Sequence, residues 1–321
     1  MINKNSKIFV AGHNGMVGSA VLRSLKKNKY KNVITRQRIE LDLFDNLAVK
    51  KFLKKNNFDI IICCAAFVGG IKANSTMQAD FIIKNLEIQN NLIINAFNLK
   101  VKKLIFLGSS CIYPKNILKP IREKLMLKSS LEDTNEPYAI AKIAGLKLCE
   151  YINKQYGYDY RTIIPCNLYG PNDNFDPNNS HVLAALLKKF EVSKKNKEIE
   201  VSVWGSGKPK REFLHVDDLA EGILKILKIN HKEFRDLVGK NINHINIGSG
   251  SDLSIKELAL MIKKITGSKS KIKFDKSKPD GVKRKLLNIS KMKKIKWKPK
   301  YTLSSGIKQF YNWYLDMLKN I

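Results

Sequence analysis

The sequence predicts an α/β protein with a doubly wound parallel sheet and a smaller, mostly C-terminal lobe. In the first half of the chain, short apolar runs alternate with segments of helical periodicity. The runs are apolar throughout rather than at every second residue, which predicts parallel strands covered by helices on both faces. The second half is less regular, and this change favours a separate lobe.

The predicted sheet strands are short and apolar. They are Lys7–Ala11, Val33–Thr35, Ile60–Ala65, Lys103–Leu107, Arg161–Pro165 and Asn243–Ile247. The predicted helices of the first half have apolar residues three and four positions apart. They are Met16–Lys27, Ala48–Lys55, Phe81–Phe97 and Ala139–Tyr156.

The elements predicted for the second half are fewer. They are a Pro- and Asn-rich loop at Gly170–Ser180, a helix from about His181 to Phe190, a strand at Glu200–Trp204 and a turn at Gly205–Gly207. Ser254 and Glu257 form a capping box, which predicts a helix that ends near Thr266.

Composition excludes several classes of protein. The chain has 321 residues and 44% hydrophobic content, enough for a large buried core. Its apolar runs all fall short of the roughly 20 residues that span a bilayer. The segment before the first strand is too short and polar for a secretory signal. Five cysteines without framework spacing indicate a reducing compartment, so we expect a cytoplasmic protein without metal or membrane partner.

The formal net charge of +31 raises the question of a nucleic-acid partner. Lysine is spread over the whole chain, however, and the densest basic stretch, Lys269–Lys300, contains only Phe274 and Trp297 as aromatic residues. We therefore predict no nucleic-acid partner. The charge is expected to attract anionic ligands.

The first predicted strand runs into a glycine-rich turn. Gly12, Gly15 and Gly18 are spaced by three residues and lie between that strand and the first predicted helix. Such glycines allow a tight turn, close approach of backbone to a pyrophosphate and close packing of helix on strand. A purely structural turn is the alternative. The position of the turn favours a Rossmann-type dinucleotide site.

The end of the second strand distinguishes NAD from NADP. NAD sites commonly carry an acid there, but this chain has Arg36-Gln-Arg38 and no acid before Glu40. An arginine can pair with a 2′-phosphate, so NADP(H) is favoured over a merely solvated basic loop. Asp42 is expected to accept a hydrogen bond from the adenine amino group or to cap a turn.

A serine, a tyrosine and a lysine form the predicted catalytic group for reduction. Tyr138 and Lys142 are four residues apart on one helix face, and Ser109 follows a strand at its carboxyl end. We expect the ammonium group to lower the pKa of the phenol, so that Tyr138 donates a proton to a carbonyl oxygen. The alternatives are an exposed helical pair and a turn-forming serine.

This order of residues resembles the short-chain dehydrogenase/reductase superfamily, and longer motifs narrow the resemblance. The motifs are Val68–Ile71, Gly108–Pro114, Asn135–Gly145, Asn167–Pro171, Arg211–Asp218 and Lys278–Gly281. Together they resemble the GDP-L-fucose synthase family from the glycine turn almost to the C-terminus.

The resemblance implies a reaction in two stages. GDP-4-keto-6-deoxy-D-mannose is epimerised at C3 and C5 and is then reduced at C4 with NADPH. By position, Ser109, Tyr138 and Lys142 match the family's reductase residues, while Cys111 and His181 match its epimerase acid/base pair. A packed cysteine and a helix-capping histidine are the alternatives.

The resemblance also implies binding residues. Cofactor contacts are expected from Gly12, Asn14, Gly15, Met16, Val17, Gly18, Arg38, Asp42, Lys142, Asn167, Leu168 and His181. Substrate contacts are expected from Lys189, Trp204, Arg211 and Asp280. The chain departs from the family at Asn14 and Lys189, where arginine is usual, which makes Arg38 more important for cofactor choice.

The expected domains follow from these assignments. Residues 1–172 and 212–250 are predicted to form the NADP-binding domain, and residues 173–211 and 251–321 the substrate-binding lobe. The resemblance suggests a homodimer packed through Phe81–Phe97 and Ala139–Tyr156. Other nucleotide-sugar reductases, epimerases or dehydratases of the superfamily are the nearest alternative, and a non-catalytic binding protein is a more distant one.

Overall fold

The computed structural model describes residues 3–176, 179–278 and 280–319. Within them, the largest sheet has six parallel strands. The predicted loop Gly170–Ser180 therefore contains two residues, Pro177 and Asn178, that lie outside the described residues, as does Pro279 in the motif Lys278–Gly281.

Twelve strands are described. They are β1 (Ile8–Ala11), β2 (Val33–Ile34), β3 (Ile60–Cys63), β4 (Lys103–Leu107), β5 (Asp159–Pro165), β6 (Asn167–Tyr169), β7 (Glu200–Trp204), β8 (Lys210–His215), β9 (His244–Ile247), β10 (Asp252–Ser254), β11 (Lys271–Asp275) and β12 (Arg284–Lys285).

Eleven α-helices are described. They are α1 (Met16–Lys27), α2 (Asn46–Asn56), α3 (Ile71–Thr76), α4 (Gln78–Asn98), α5 (Glu136–Tyr156), α6 (Val182–Lys195), α7 (Val216–Lys228), α8 (His231–Val238), α9 (Ile255–Thr266), α10 (Ser290–Lys294) and α11 (Leu303–Lys319). Short 3-10 helices include Ser110–Ile112 and Asp133–Asn135.

The predicted elements are confirmed, with shifts at their ends. The helix predicted from Ala48 begins two residues earlier, because the Asp45 side chain accepts a hydrogen bond from the Ala48 amide and caps the helix. The helix predicted from His181 begins at Val182, with His181 as its N-cap, and continues to Lys195. The capping box of Ser254 and Glu257 is present.

The large sheet has the order β2-β1-β3-β4-β5-β9, which confirms the predicted Rossmann-type α/β class. Alternate residues of β1, β3 and β4 enter different cores. Ile8 and Val10 of β1 pack with α1 and α7 on one face, while Phe9 and Ala11 pack with α2, α4 and α5 on the other. From β1 the chain continues to β2 on one side, and from β3 it continues to β4 on the other side. A crevice therefore opens between β1 and β3, at the carboxyl ends of these strands.

A third hydrophobic core belongs to the less regular part of the chain. It joins α6, α9 and α11 to the strand pair β7 and β11. A small sheet has the order β10-β8-β12, and β6 also pairs with β8. Among the described residues, no helix combines the length and apolarity needed to cross a bilayer.

Candidate functional site

A cavity of about 1250 Å³ opens at the carboxyl edge of the large sheet and continues to the third core. Its walls include every residue that the sequence predicted for the site. The list comprises Gly12, Asn14, Gly15, Met16, Val17, Gly18, Arg38, Asp42, Ser109, Cys111, Tyr138, Lys142, Asn167, Leu168, His181, Lys189, Trp204, Arg211 and Asp280. The structure therefore brings together residues from nine separate parts of the sequence, although the role of each stays a prediction.

The glycine turn forms one end of the cavity. Gly12 has a φ of +78°, and a Cβ there would lie 2.6 Å from the amide nitrogen of Ala65. A Cβ on Gly18 would lie 2.1 Å from the carbonyl oxygen of Gly12. Both positions therefore require glycine for protein packing alone.

Gly15 differs from the other two glycines. A Cβ there would meet only the carbonyl oxygen of Gly12, at 3.5 Å, so the space beside it belongs to the cavity. Gly15 is the N-cap of α1 and provides no side-chain cap for the first amides of the helix. These free N–H groups and the open space fit a dinucleotide pyrophosphate.

The end of β2 places arginine rather than an acid beside this turn. The Arg38 side chain is 77% exposed, lies 5.3 Å from the Phe44 ring, and has one ion-pair contact to Asp42 at 3.7 Å. Asp42 accepts a hydrogen bond from the Phe44 amide at 3.1 Å, as in the turn-capping alternative. The exposed guanidinium is free to move toward a phosphate.

Ser109 and Tyr138 meet where β4 ends. Ser109 is the N-cap of the 3-10 helix Ser110–Ile112, and its hydroxyl accepts a hydrogen bond from the Cys111 amide at 3.2 Å. The Ser109 side chain is also hydrogen-bonded to Tyr138. One short turn therefore positions the serine against the tyrosine and projects Cys111 into the same cavity.

Lys142 is almost completely buried, with 2% of its surface exposed. Its ammonium group donates a hydrogen bond to the carbonyl oxygen of Leu107 at 2.9 Å and lies 5.7 Å from the centre of the Tyr138 ring. Burial lowers the pKa of Lys142 to about 8, with Cys63 and Cys64 opposing the shift.

The expected low pKa of Tyr138 was wrong. Burial raises the pKa of Tyr138 well above its ordinary value, and the nearby Cys111 raises it further. The hydrogen bond with Ser109 lowers it, but desolvation of the phenolate outweighs that effect. Tyr138 is therefore a firmly protonated hydrogen-bond donor at neutral pH.

His181 lies at the N-terminus of α6, where its ring is accessible through the cavity but has protein atoms on several sides. Incomplete hydration there lowers the pKa of His181. The preceding residues are held by the Gly70 amide, which donates to the carbonyl oxygen of Asn179 at 3.0 Å. A Cβ on Gly70 would lie 2.8 Å from the Ser180 carbonyl oxygen, so this contact requires glycine.

Aromatic and basic side chains form the far wall. Trp204 is 45% exposed, and the ammonium groups of Lys189 and Lys278 lie 6.0 and 5.7 Å from its ring. Lys189 also donates to the carbonyl oxygen of Ser202 at 2.8 Å. A planar ring flanked by cations fits an anionic ligand that also carries a base.

Arg211 and Asp280 are anchored near this wall. The Arg211 guanidinium donates to the carbonyl oxygen of Val282 at 2.6 Å, and burial lowers its pKa. Asp280 accepts hydrogen bonds from the amide and the hydroxyl of Ser206 at 2.6 and 2.7 Å. The Asp280 carboxylate thus joins its own turn to the turn at Ser206, and it also lines the cavity.

A family model described as the NAD dependent epimerase/dehydratase family matches residues 8–248. The match covers most of the chain and includes the glycine turn and the residues at the end of β4. The chain belongs to this family.

Relatives within the family are similar over nearly their whole length. The chain is 47% identical to GDP-L-fucose synthase of Escherichia coli, covering 97% of each, and 48% identical to GDP-L-fucose synthase 1 of Arabidopsis thaliana, covering 100% of this chain and 96% of that one. A GDP-mannoheptose C4 reductase of Campylobacter jejuni, solved with NADP bound, has a TM-score of 0.87 at 40% identity, covering 98% and 100%. The resemblance drawn from the motifs is confirmed.

Sequence reasoning missed Lys285, which also lines the cavity. Its ammonium nitrogen lies 3.9 Å from the sulfur of Cys111, although 174 positions separate the two residues. Lys285 lies on β12, which pairs with β8. A lysine in a lysine-rich stretch carries no local signal, and only the pairing of β12 with β8 could have identified it.

Proposed function

We propose that this protein converts GDP-4-keto-6-deoxy-D-mannose to GDP-L-fucose with NADPH, by epimerisation at C3 and C5 followed by reduction at C4. The observation that carries the proposal is the convergence of two chemical groups in one cavity. The reduction group is Ser109, Tyr138 and Lys142, and the epimerisation group is Cys111 and His181. A plain reductase has no use for the second group.

The glycine turn and Arg38 support the choice of NADP(H). When bound, NADPH supplies the hydride that reduces C4. The amides at the start of α1 would hold the pyrophosphate, and Arg38 would pair with the 2′-phosphate. Asn167 and Leu168 of β6 would support the nicotinamide end, since the Asn167 amide is fixed by a 2.8 Å hydrogen bond to the Glu212 carbonyl oxygen.

Epimerisation uses the ketone at C4. The ketone acidifies the C–H bonds at C3 and C5, because the carbanion formed at either carbon is an enolate. Inversion then requires a base on one face of the carbon and an acid on the other. Cys111 and His181 come from different segments of the cavity wall and provide a thiol and an imidazole, two kinds of group that serve as acid and base in such transfers.

Reduction uses a proton donor at the C4 oxygen. The raised pKa of Tyr138 keeps its hydroxyl protonated until the oxygen gains negative charge. Ser109 would donate a second hydrogen bond to the same oxygen, and the Lys142 ammonium would stabilise the phenolate left on Tyr138. For the nucleotide, Arg211 and Lys189 would contact the diphosphate, and Trp204 would cover a ring.

The assembly and location of the enzyme belong to the same proposal. Helices α4 and α5 expose the apolar residues Ile83, Ile94, Ile140 and Tyr151, which supports a homodimer packed through these helices. A cytoplasmic location and the absence of a nucleic-acid partner remain expectations from composition.

The test is NADPH oxidation by the purified protein with GDP-4-keto-6-deoxymannose, followed by identification of the product by NMR. The proposal expects one NADPH consumed per GDP-L-fucose formed. A product that keeps the D-manno or D-talo configuration would mean a C4 reductase, like the Campylobacter jejuni relative, and would overturn the roles of Cys111 and His181.

A further inference from the structure

We infer that Lys285 is a further catalytic residue for epimerisation, whose ammonium group stabilises the anionic sulfur of Cys111 during proton transfer. The inference rests on the proposed function for its chemistry and on the geometry of the cavity for its residues. Lys285 and Cys111 both line the cavity, and their nitrogen and sulfur atoms are 3.9 Å apart. This distance is the range of a hydrogen bond to sulfur.

The pairing of β12 with β8 directs two cations at the same sulfur. Lys285 is the register partner of Arg211 in this parallel pair, and partners in register project to the same face of a sheet. The charges of Arg211 and Cys111 interact. No ion pair with a carboxylate occupies Lys285 within the part of the chain that the structure describes. Its charge is therefore available to the sulfur.

The backbone that carries Lys285 is fixed on both sides. The preceding residue, Arg284, donates two hydrogen bonds to the Asp252 carboxylate, at 2.6 and 3.1 Å, and one to the Leu118 carbonyl oxygen at 2.7 Å. On the other side, the Leu287 amide donates to the buried Glu212 carboxylate at 2.8 Å. This anchoring sets the position of the Lys285 backbone, from which its side chain reaches the sulfur of Cys111.

The proton balance holds in either direction of transfer. When Cys111 is the base, its thiolate forms an S–H bond as the C–H bond at C3 or C5 breaks, and the electron pair passes to the C4 oxygen as an enolate. His181 then gives its N–H proton to the opposite face of the same carbon, where the enolate electron pair forms the new C–H bond and the C4 ketone is restored. Proton exchange with water returns Cys111 and His181 to their starting states. When Cys111 is the acid, the same bonds form and break with the roles exchanged. In both cases the sulfur is anionic at one end of the transfer, and Lys285 faces it.

The test compares Lys285→Gln with Lys285→Arg and with Lys283→Gln, a control that removes an equal charge from an exposed side chain two residues away. The first readout is the rate at which iodoacetamide alkylates Cys111 at pH 7, followed by peptide mass spectrometry and needing no substrate. The second is solvent deuterium incorporation at C3 and C5 of the keto-sugar. Cys111→Ser measures the background from the cavity-lining Cys64.

We expect Lys285→Gln to slow alkylation of Cys111 by about tenfold, the effect of one well-placed neighbouring charge. The kcat for deuterium exchange should fall at least as far, with little change in KM. Lys285→Arg should restore most of both rates, and Lys283→Gln should match the parent protein. Binding of NADPH by all variants would show that they are folded.

Two results would overturn the inference. Alkylation at the parent rate in Lys285→Gln would show that the ammonium group does not act on the sulfur. A rise in KM with unchanged kcat would make Lys285 a nucleotide anchor instead. If the parent protein exchanged no deuterium, the proposed function would fail, while the alkylation rates would still decide whether Lys285 acts on Cys111.

Discussion

The reduction group and the epimerisation group occupy the same cavity in different surroundings. Tyr138 and Lys142 lie on one helix, and Lys142 is almost completely buried. Cys111 and His181 come from segments about 70 positions apart and are accessible through the cavity. The difference fits their tasks, because the charge of a buried ammonium acts strongly on a phenolate beside it. An acid/base pair that inverts carbon centres must exchange protons.

The largest expected effect follows from removing the proton donor. Tyr138→Phe should lower the rate of reduction by about 10²- to 10⁴-fold, the usual contribution of a positioned general acid. Solvent deuterium incorporation at C3 and C5 should stay within a few-fold of the parent rate. NADPH oxidation and NMR of the keto-sugar measure the two rates. Loss of both together would show that the two groups are not separable.

Removing the thiol should affect epimerisation rather than the binding of the cofactor. Cys111→Ser should lower deuterium incorporation about 100-fold, because a hydroxyl is a far weaker acid and base partner than a thiol. NADPH binding should be unchanged. His181→Asn is expected to have a similar effect on exchange. Parent exchange rates in both variants would contradict the assignment of the epimerisation group.

The pH dependence of reduction should reflect Lys142. Its pKa is lowered to about 8 by burial, so the ammonium is present below that pH and is lost as pH rises through it. We expect kcat/KM for reduction, which follows the free enzyme, to fall about tenfold per pH unit above this value. Lys142→Arg should retain its charge and flatten the fall. A flat parent profile to pH 9.5 would show that the charge is not needed.

The smallest effect is expected at the cofactor. Arg38→Gln should raise the KM for NADPH by about tenfold, the value of one exposed charge-assisted contact to phosphate. The KM for NADH, which lacks that phosphate, serves as the internal control and should hardly change. Equal effects on both cofactors would indicate a structural role for Arg38.

Local signals predicted one part of the molecule well. Helix α1 has the bounds that its periodicity predicted, and the glycine turn lies where strand and helix meet, since both depend on neighbouring residues. The small sheet of β6, β8, β10 and β12 was not predicted, because its strands have two to six residues and pair across long separations. Helices α7 and α11 were also missed.

The candidate site divides in the same way. Ser109, Tyr138 and Lys142 could be proposed from spacing and position in the fold. His181 and Cys111 carried too little local signal and depended on the resemblance. Lys285 was beyond both kinds of reasoning, because its place beside Cys111 is set by the register of β12 on β8. The expected low pKa of Tyr138 was wrong because spacing does not reveal how much water reaches the phenol.

One experiment tests most directly the claim that both groups act in one cavity. The purified protein is incubated with GDP-4-keto-6-deoxymannose and NADPH in D₂O, and the product is examined by NMR. The account predicts GDP-L-fucose with deuterium at both C3 and C5. A reduced product in the D-manno or D-talo configuration, without deuterium at either carbon, would contradict it.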